Sequence, residues 1–98
     1  MYTMMIVEDE TPLLRSMKRA VDRSQANVEV VSMESNAVGA LDCLRRMKPD
    51  ILMTDICMPV MSGLELIERA LLLQPRLIPV VISGYQEFQF ARKALQLG

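Results

Sequence analysis

Short, uninterrupted apolar runs alternate along this chain with longer stretches in which apolar residues recur every three or four positions. The first run, Tyr2-Thr3-Met4-Met5-Ile6-Val7, stops abruptly at Glu8-Asp9-Glu10. Continuous apolar runs of this length suit strands buried on both faces, the situation of a parallel sheet. Thr11-Pro12 then reads as a helix start, with a capping hydroxyl and proline at the first helical position. Leu13, Leu14, Met17, Ala20 and Val21 keep helical spacing, while Arg15, Lys18, Arg19, Asp22 and Arg23 fall on the opposite side.

The alternation repeats. Residues 28–33 form a second β-branched run, and Ser35 or Asn36 can cap a helix carrying Ala37, Ala40, Leu41, Leu44 and Met47, which Pro49 ends. Asp50 opens a third strand, Ile51-Leu52-Met53-Thr54, which runs into Asp55. Ser62-Gly63-Leu64-Glu65 has the spacing of a capping box ahead of Leu66, Ile67, Ala70, Leu71 and Leu73, and Pro75 closes that helix. Residues 77–82 make a fourth strand, with Pro79 near its start, where a missing donor is tolerated. After a turn at Ser83-Gly84-Tyr85, residues 86–97 predict a last helix with two apolar stripes. Strand and helix in strict alternation predict an α/β fold, an open parallel sheet with helices on both faces.

Composition narrows the chemistry. With 98 residues the chain has room for one domain, residues 1–98, and 51% hydrophobic residues are enough to drive its folding. No apolar run reaches membrane-spanning length and the start lacks signal-peptide character, so a soluble cytoplasmic protein with no membrane partner is expected. A net charge of -1 gives no global attraction to nucleic acid. Histidine is absent, which removes imidazole bases, phosphohistidine on this chain and the usual histidine-containing zinc sites. Cys43 and Cys57 form neither a CxxC pair nor a ligand cluster and read as free thiols in a reducing compartment. The nine methionines read as adaptable core filler.

In open parallel sheets, functional groups collect beyond the carboxyl ends of the strands. Here those positions hold Glu8, Asp9 and Glu10 after the first strand, Asp55 after the third, and Ser83-Gly84 after the fourth. If the first and third strands are neighbours, Asp9 and Asp55 converge, and clustered carboxylates call for a compensating cation. A hard divalent ion with oxygen ligands, Mg²⁺ above all, suits such a site. Taken singly, each acid also fits a plain loop or helix-capping role, Glu10 especially, beside the positive end of the first helix. Asp55 is the candidate nucleophile toward a phosphoryl group, and Ser83 can donate its hydroxyl to a phosphoryl oxygen.

Glu8-Asp9, the segment Met53-Thr54-Asp55-Ile56-Cys57-Met58-Pro59, Gly63 eight residues past that aspartate, and Ser83-Gly84 together resemble the receiver domain of bacterial two-component response regulators. The resemblance implies a flavodoxin-like fold, Asp55 as phosphoacceptor, and a histidine kinase as partner. It implies Asp9 and Asp55 as direct Mg²⁺ ligands with the backbone carbonyl of Cys57, Glu8 binding through water, and Ser83 moving onto the phosphoryl group. Glu8 stands where aspartate is commoner. The segment from Gly84 through Leu95 is similar to receivers fused to AraC-type DNA-binding domains, implying transcription control through a domain absent from this chain.

The family fold has a fifth strand and helix and a phosphate-binding lysine, which these 98 residues stop short of. The expectation is therefore an incomplete receiver that self-associates and is phosphorylated poorly. Two other readings stay open. An Mg²⁺-dependent phosphatase with an aspartyl nucleophile would place a second acid two residues on, where this chain has Cys57. A non-phosphorylated interaction module would have no use for Asp9, Asp55 and Ser83.

Overall fold

The computed structural model describes residues 1–82. The expected helix over 86–97 and the candidate Ser83 lie outside the described residues. Within them, β1 (Tyr2–Val7), α1 (Thr11–Arg23), β2 (Val28–Glu34), α2 (Ala37–Met47), β3 (Ile51–Asp55), α3 (Gly63–Leu73) and β4 (Ile78–Ile82) follow one another in the expected alternation. The four strands form one parallel sheet in the order β2-β1-β3-β4. The receiver-type, flavodoxin-like α/β fold is thus present.

Strand alternation divides the core in two. Met5 and Val7 of β1 join Leu52 of β3 against Ala40 and Leu44 of α2 and Leu66 and Ala70 of α3. Met4 and Ile6 join Met53 and Ile82 against Leu14, Met17, Ala20 and Val21 of α1. Helices therefore cover both faces, and β1 is buried on both, which is why it reads as an unbroken apolar run. Met5, Ile6 and Leu52 are fully enclosed, each contributing roughly 1.5–3 kcal/mol by burial. The register of β1 on β2 slips between Met4 and Met5, where Val31 is passed over.

The helix ends follow from local chemistry, with one correction. Asn36 caps α2, its side chain accepting from Gly39 N at 2.7 Å, and Ser62 caps α3, accepting from Glu65 N at 3.2 Å. Each bond satisfies one of the orphan donors of a first turn. Glu65 does not complete the box; its carboxylate meets Arg69 at 3.3 Å instead. Thr11, expected as a cap, lies inside α1 as its first residue, and Glu10 holds the cap position without a side-chain bond. The Thr-Pro pair fits the first turn as well as the cap, and the extended backbone of Glu10 takes up the change of direction. β2 also continues one residue beyond its expected end, to Glu34, and β4 starts at Ile78.

At the amino end of β3, Asp50 ties the sheet together. Its Oδ2 accepts from Thr3 N at 2.8 Å and from Thr3 Oγ1 at 3.1 Å, and its own N–H donates to Thr3 O at 3.0 Å. These bonds start the β1–β3 pairing and set its register, which carries on to Val7 opposite Thr54.

Candidate functional site

Because β1 and β3 are adjacent and in that register, the residues that follow Val7 and Thr54 emerge at one rim of the sheet. Glu8, Asp9 and Asp55 each place a carboxylate oxygen within 4.8 Å of the other two. Asp9 is exposed and Asp55 half-buried, but Glu8 is only 2% exposed. Glu8 is therefore not a loop residue in the sense expected. Its N–H donates to Glu34 O at 3.1 Å, extending the β1–β2 ladder by one step.

That burial has an electrostatic cost. The Glu8 carboxylate accepts one weak backbone bond, from Glu10 N at 3.3 Å. Desolvation pushes its carboxyl from 4.5 up to about 7, helped by a hydrogen bond with the Asp9 side chain and by the negative charges of Asp55 and Asp9, against the Glu10 amide. Among the described residues none of the three acids is ion-paired. The described residues supply this cluster with no paired cation, and three hard oxygen donors beside an exposed mouth fit a divalent cation that retains water ligands.

The loop after β3 is folded back on the site. Ile56 uses both backbone groups, donating to Ile82 O at 2.9 Å and accepting from Gly63 N at 2.8 Å. Gly63 is required by this closure: a Cβ there would lie 1.9 Å from the carbonyl oxygen of Asp55. The apolar side chain of Met61 is buried under the loop. Between these anchors, Met61 N donates to Pro59 O at 2.7 Å around Val60, whose φ is 70°. A γ-turn with positive φ is rare and strained, more so for a β-branched residue. Cys57 is exposed in this loop, and its thiol is not part of the acidic cluster. A cavity of about 180 Å³ beside Asp9, lined also by Asn36, Val38, Pro59 and Val60, gives access from the side of α2.

Sequence reasoning named the three acids and Gly63. It missed the burial of Glu8, although Glu8 shares the parity of Met4 and Ile6 along the strand, and it missed the strained turn at Val60.

Residues 4–98 match the response regulator receiver domain family. The chain belongs to that family. It is 30% identical over its whole length to the uncharacterized transcriptional regulatory protein YesN of Bacillus subtilis, and 34% identical over 98% of its length to the transcriptional regulatory protein BtsR of Escherichia coli K12. It spans 27% and 38% of the lengths of those two proteins. Among solved structures it is similar to the REC domain of AraT, a response regulator from Geobacillus stearothermophilus, with a TM-score of 0.75 and 33% identity, covering 99% of this chain and 75% of that one. This receiver is a phosphoacceptor signalling domain. Among the described residues no helix is long and apolar enough to cross a membrane.

Proposed function

We propose that this receiver accepts a phosphoryl group on Asp55 from a phosphohistidine of a partner kinase, with Mg²⁺ held by the acidic cluster. The observation that carries the reading is the meeting of Glu8, Asp9 and Asp55 oxygens within 4.8 Å at the carboxyl ends of two adjacent strands. Asp9, Asp55 and the Cys57 backbone carbonyl would hold the ion directly, and Glu8 would do so through water. Bound there, Mg²⁺ would neutralise the carboxylates and the transferring phosphoryl oxygens.

A carboxylate oxygen of Asp55 attacks phosphorus, the P–N bond to the donor imidazole breaks with its electron pair staying on nitrogen, and an acyl phosphate forms. The Gly63–Asp55 contact and the bonds of Ile56 fix the backbone that aims this carboxylate. Asp9, the exposed member, borders the cavity through which a donor reaches the site. Ser83 then contacts the phosphoryl group, and the added charge of about -1.5 to -2 shifts a two-state equilibrium of the surrounding loops. The output is transcription control in the cytoplasm, supported by the likeness to the transcriptional regulatory proteins YesN and BtsR. The AraC-type DNA-binding domain through which it acts is what the resemblance of the sequence over residues 84–95 implies.

Intact-mass measurement after treatment with phosphoramidate and Mg²⁺ tests this. The expected result is one added phosphoryl mass, taken up slowly by these 98 residues, lost in Asp55→Asn and lost on chelation. Uptake that persists in Asp55→Asn moves the acceptor elsewhere and refutes the assignment.

A further inference from the structure

The opposite end of the molecule carries a largely apolar concavity with a basic rim, which phosphoacceptor chemistry leaves unused. A cavity of about 600 Å³ opens where α2 and α3 end, floored by Leu44, Leu73 and Pro75 and rimmed by Arg45, Lys48 and Arg76. Its volume falls in the range of small-molecule sites. None of the three cations is ion-paired among the described residues, whereas the neighbouring Arg46 meets Asp42 at 3.3 Å. The carboxyl end of α2 contributes a partial charge of only roughly -0.5, which leaves most of this positive charge uncompensated.

The rim is also fixed. Lys48 sits in the left-handed region at φ 46°, and its N–H donates to Leu44 O at 3.0 Å. Gln74, in the cavity wall, donates from Nε2 to Pro49 O. Its Oε1 is buried with no donor among the described residues. Such an acceptor is rare and calls for a partner.

We propose that this cavity binds an organic phosphate. Its phosphate oxygens would meet the guanidinium groups of Arg45 and Arg76, which suit bidentate contact, and the ammonium of Lys48. Its carbon body would rest on Leu44, Leu73 and Pro75.

The test is an amide-resolved NMR titration of the 98-residue chain at fixed ionic strength and with chelator, using AMP, ribose 5-phosphate and inorganic phosphate as probes. The expected result is saturable shifts at the amides of Arg45, Lys48, Gln74 and Arg76. At least one organic phosphate should bind about tenfold or more tightly than inorganic phosphate, and Arg45→Gln/Arg76→Gln should weaken it by a further factor of about ten or more. Both arginines are exposed, and unchanged spectra elsewhere would verify that the variant is folded. No saturation by any probe at millimolar concentration would overturn the proposal. So would shifts confined to Glu8, Asp9 and Asp55, equal affinity for inorganic phosphate, or undiminished binding by the double variant.

Discussion

Asp50 and Asp55 bracket the same strand and meet opposite fates. Asp50, at the amino end of β3, finds its donors within the chain, in the N–H and hydroxyl of Thr3. Asp55, at the carboxyl end, stands among two other acids with no ion pair among the described residues. The same side chain is a staple where the fold supplies donors and, in the proposed function, the phosphoacceptor where the fold withholds them. Among the described residues the contrast repeats on a larger scale, with carboxylates lacking ion pairs at one end of the sheet and cations lacking them at the other.

The sharpest way to break the comparison is to remove each aspartate in turn. Asp55→Asn should abolish phosphoryl uptake while leaving thermal stability within about 0.5 kcal/mol or raising it, since repulsion is relieved. Asp50→Ala should do the reverse. Uptake persists, and stability falls by roughly 1–3 kcal/mol because the Thr3 N–H loses its partner. Mass spectrometry and urea unfolding on both variants would decide it; loss of uptake in both would erase the distinction between the two ends.

Gly63→Ala tests how the acidic end is held. A Cβ 1.9 Å from the Asp55 carbonyl oxygen forces backbone to move, at a cost on the order of 2–4 kcal/mol. Because the displaced atom belongs to Asp55 itself, uptake should fall more steeply than the melting temperature alone explains. Gly39→Ala serves as the control: its nearest contact would be the Asn36 side chain at 3.2 Å rather than the backbone of an acid. Equal losses in the two variants would leave Gly63 an ordinary helix-start glycine.

The acidic end should also respond to pH. Glu8 has a folded-state pKa of about 7 against 4.5 unfolded, so the native state holds its proton longer. Stability from this group is present in full below about pH 4.5 and is lost as pH rises through 7, by on the order of 3 kcal/mol at most. Saturating Mg²⁺ should recover the loss above pH 7, and Glu8→Gln should flatten the profile between these limits. A wild-type denaturation midpoint constant between about pH 5 and 8 without metal would contradict the buried, uncompensated state of Glu8.

How far these features can be read from sequence depends on how local their causes are. The β1 run, the Asn36 and Ser62 caps, and the stops at Pro49 and Pro75 are set by residues within one turn of each other, and all were legible. Thr11 misled because a Thr-Pro pair satisfies the cap and the first turn equally well. The convergence of Asp9 and Asp55 needed only the assumption that β1 and β3 are neighbours. The depth of Glu8 needed more, namely that the β1–β2 ladder runs one bond past the last apolar residue. The need for glycine at position 63 arises from a contact with a residue eight positions away, and the family pattern flagged it without giving a reason. The backbone of Val60 was illegible, since valine is among the residues least suited to a positive φ.

That mismatch at Val60 supports the smallest of the expected effects and separates strain from support at the acidic end. Val60 is 95% exposed, so its side chain adds almost nothing to the core, yet its φ of 70° carries a cost on the order of 1–3 kcal/mol for a non-glycine residue. Asparagine tolerates this region far better. Val60→Asn should therefore stabilise the chain by about 1 kcal/mol, a gain measurable as a higher urea midpoint with an unchanged slope. The bonds of Ile56 and the burial of Met61 hold the loop independently of residue 60, so Asp55 should keep its position and its capacity for uptake. If Val60→Asn is instead destabilising, the valine must be making a contact worth more than its strain. The loop beside Asp55 would then be held by its tip as well as by its base.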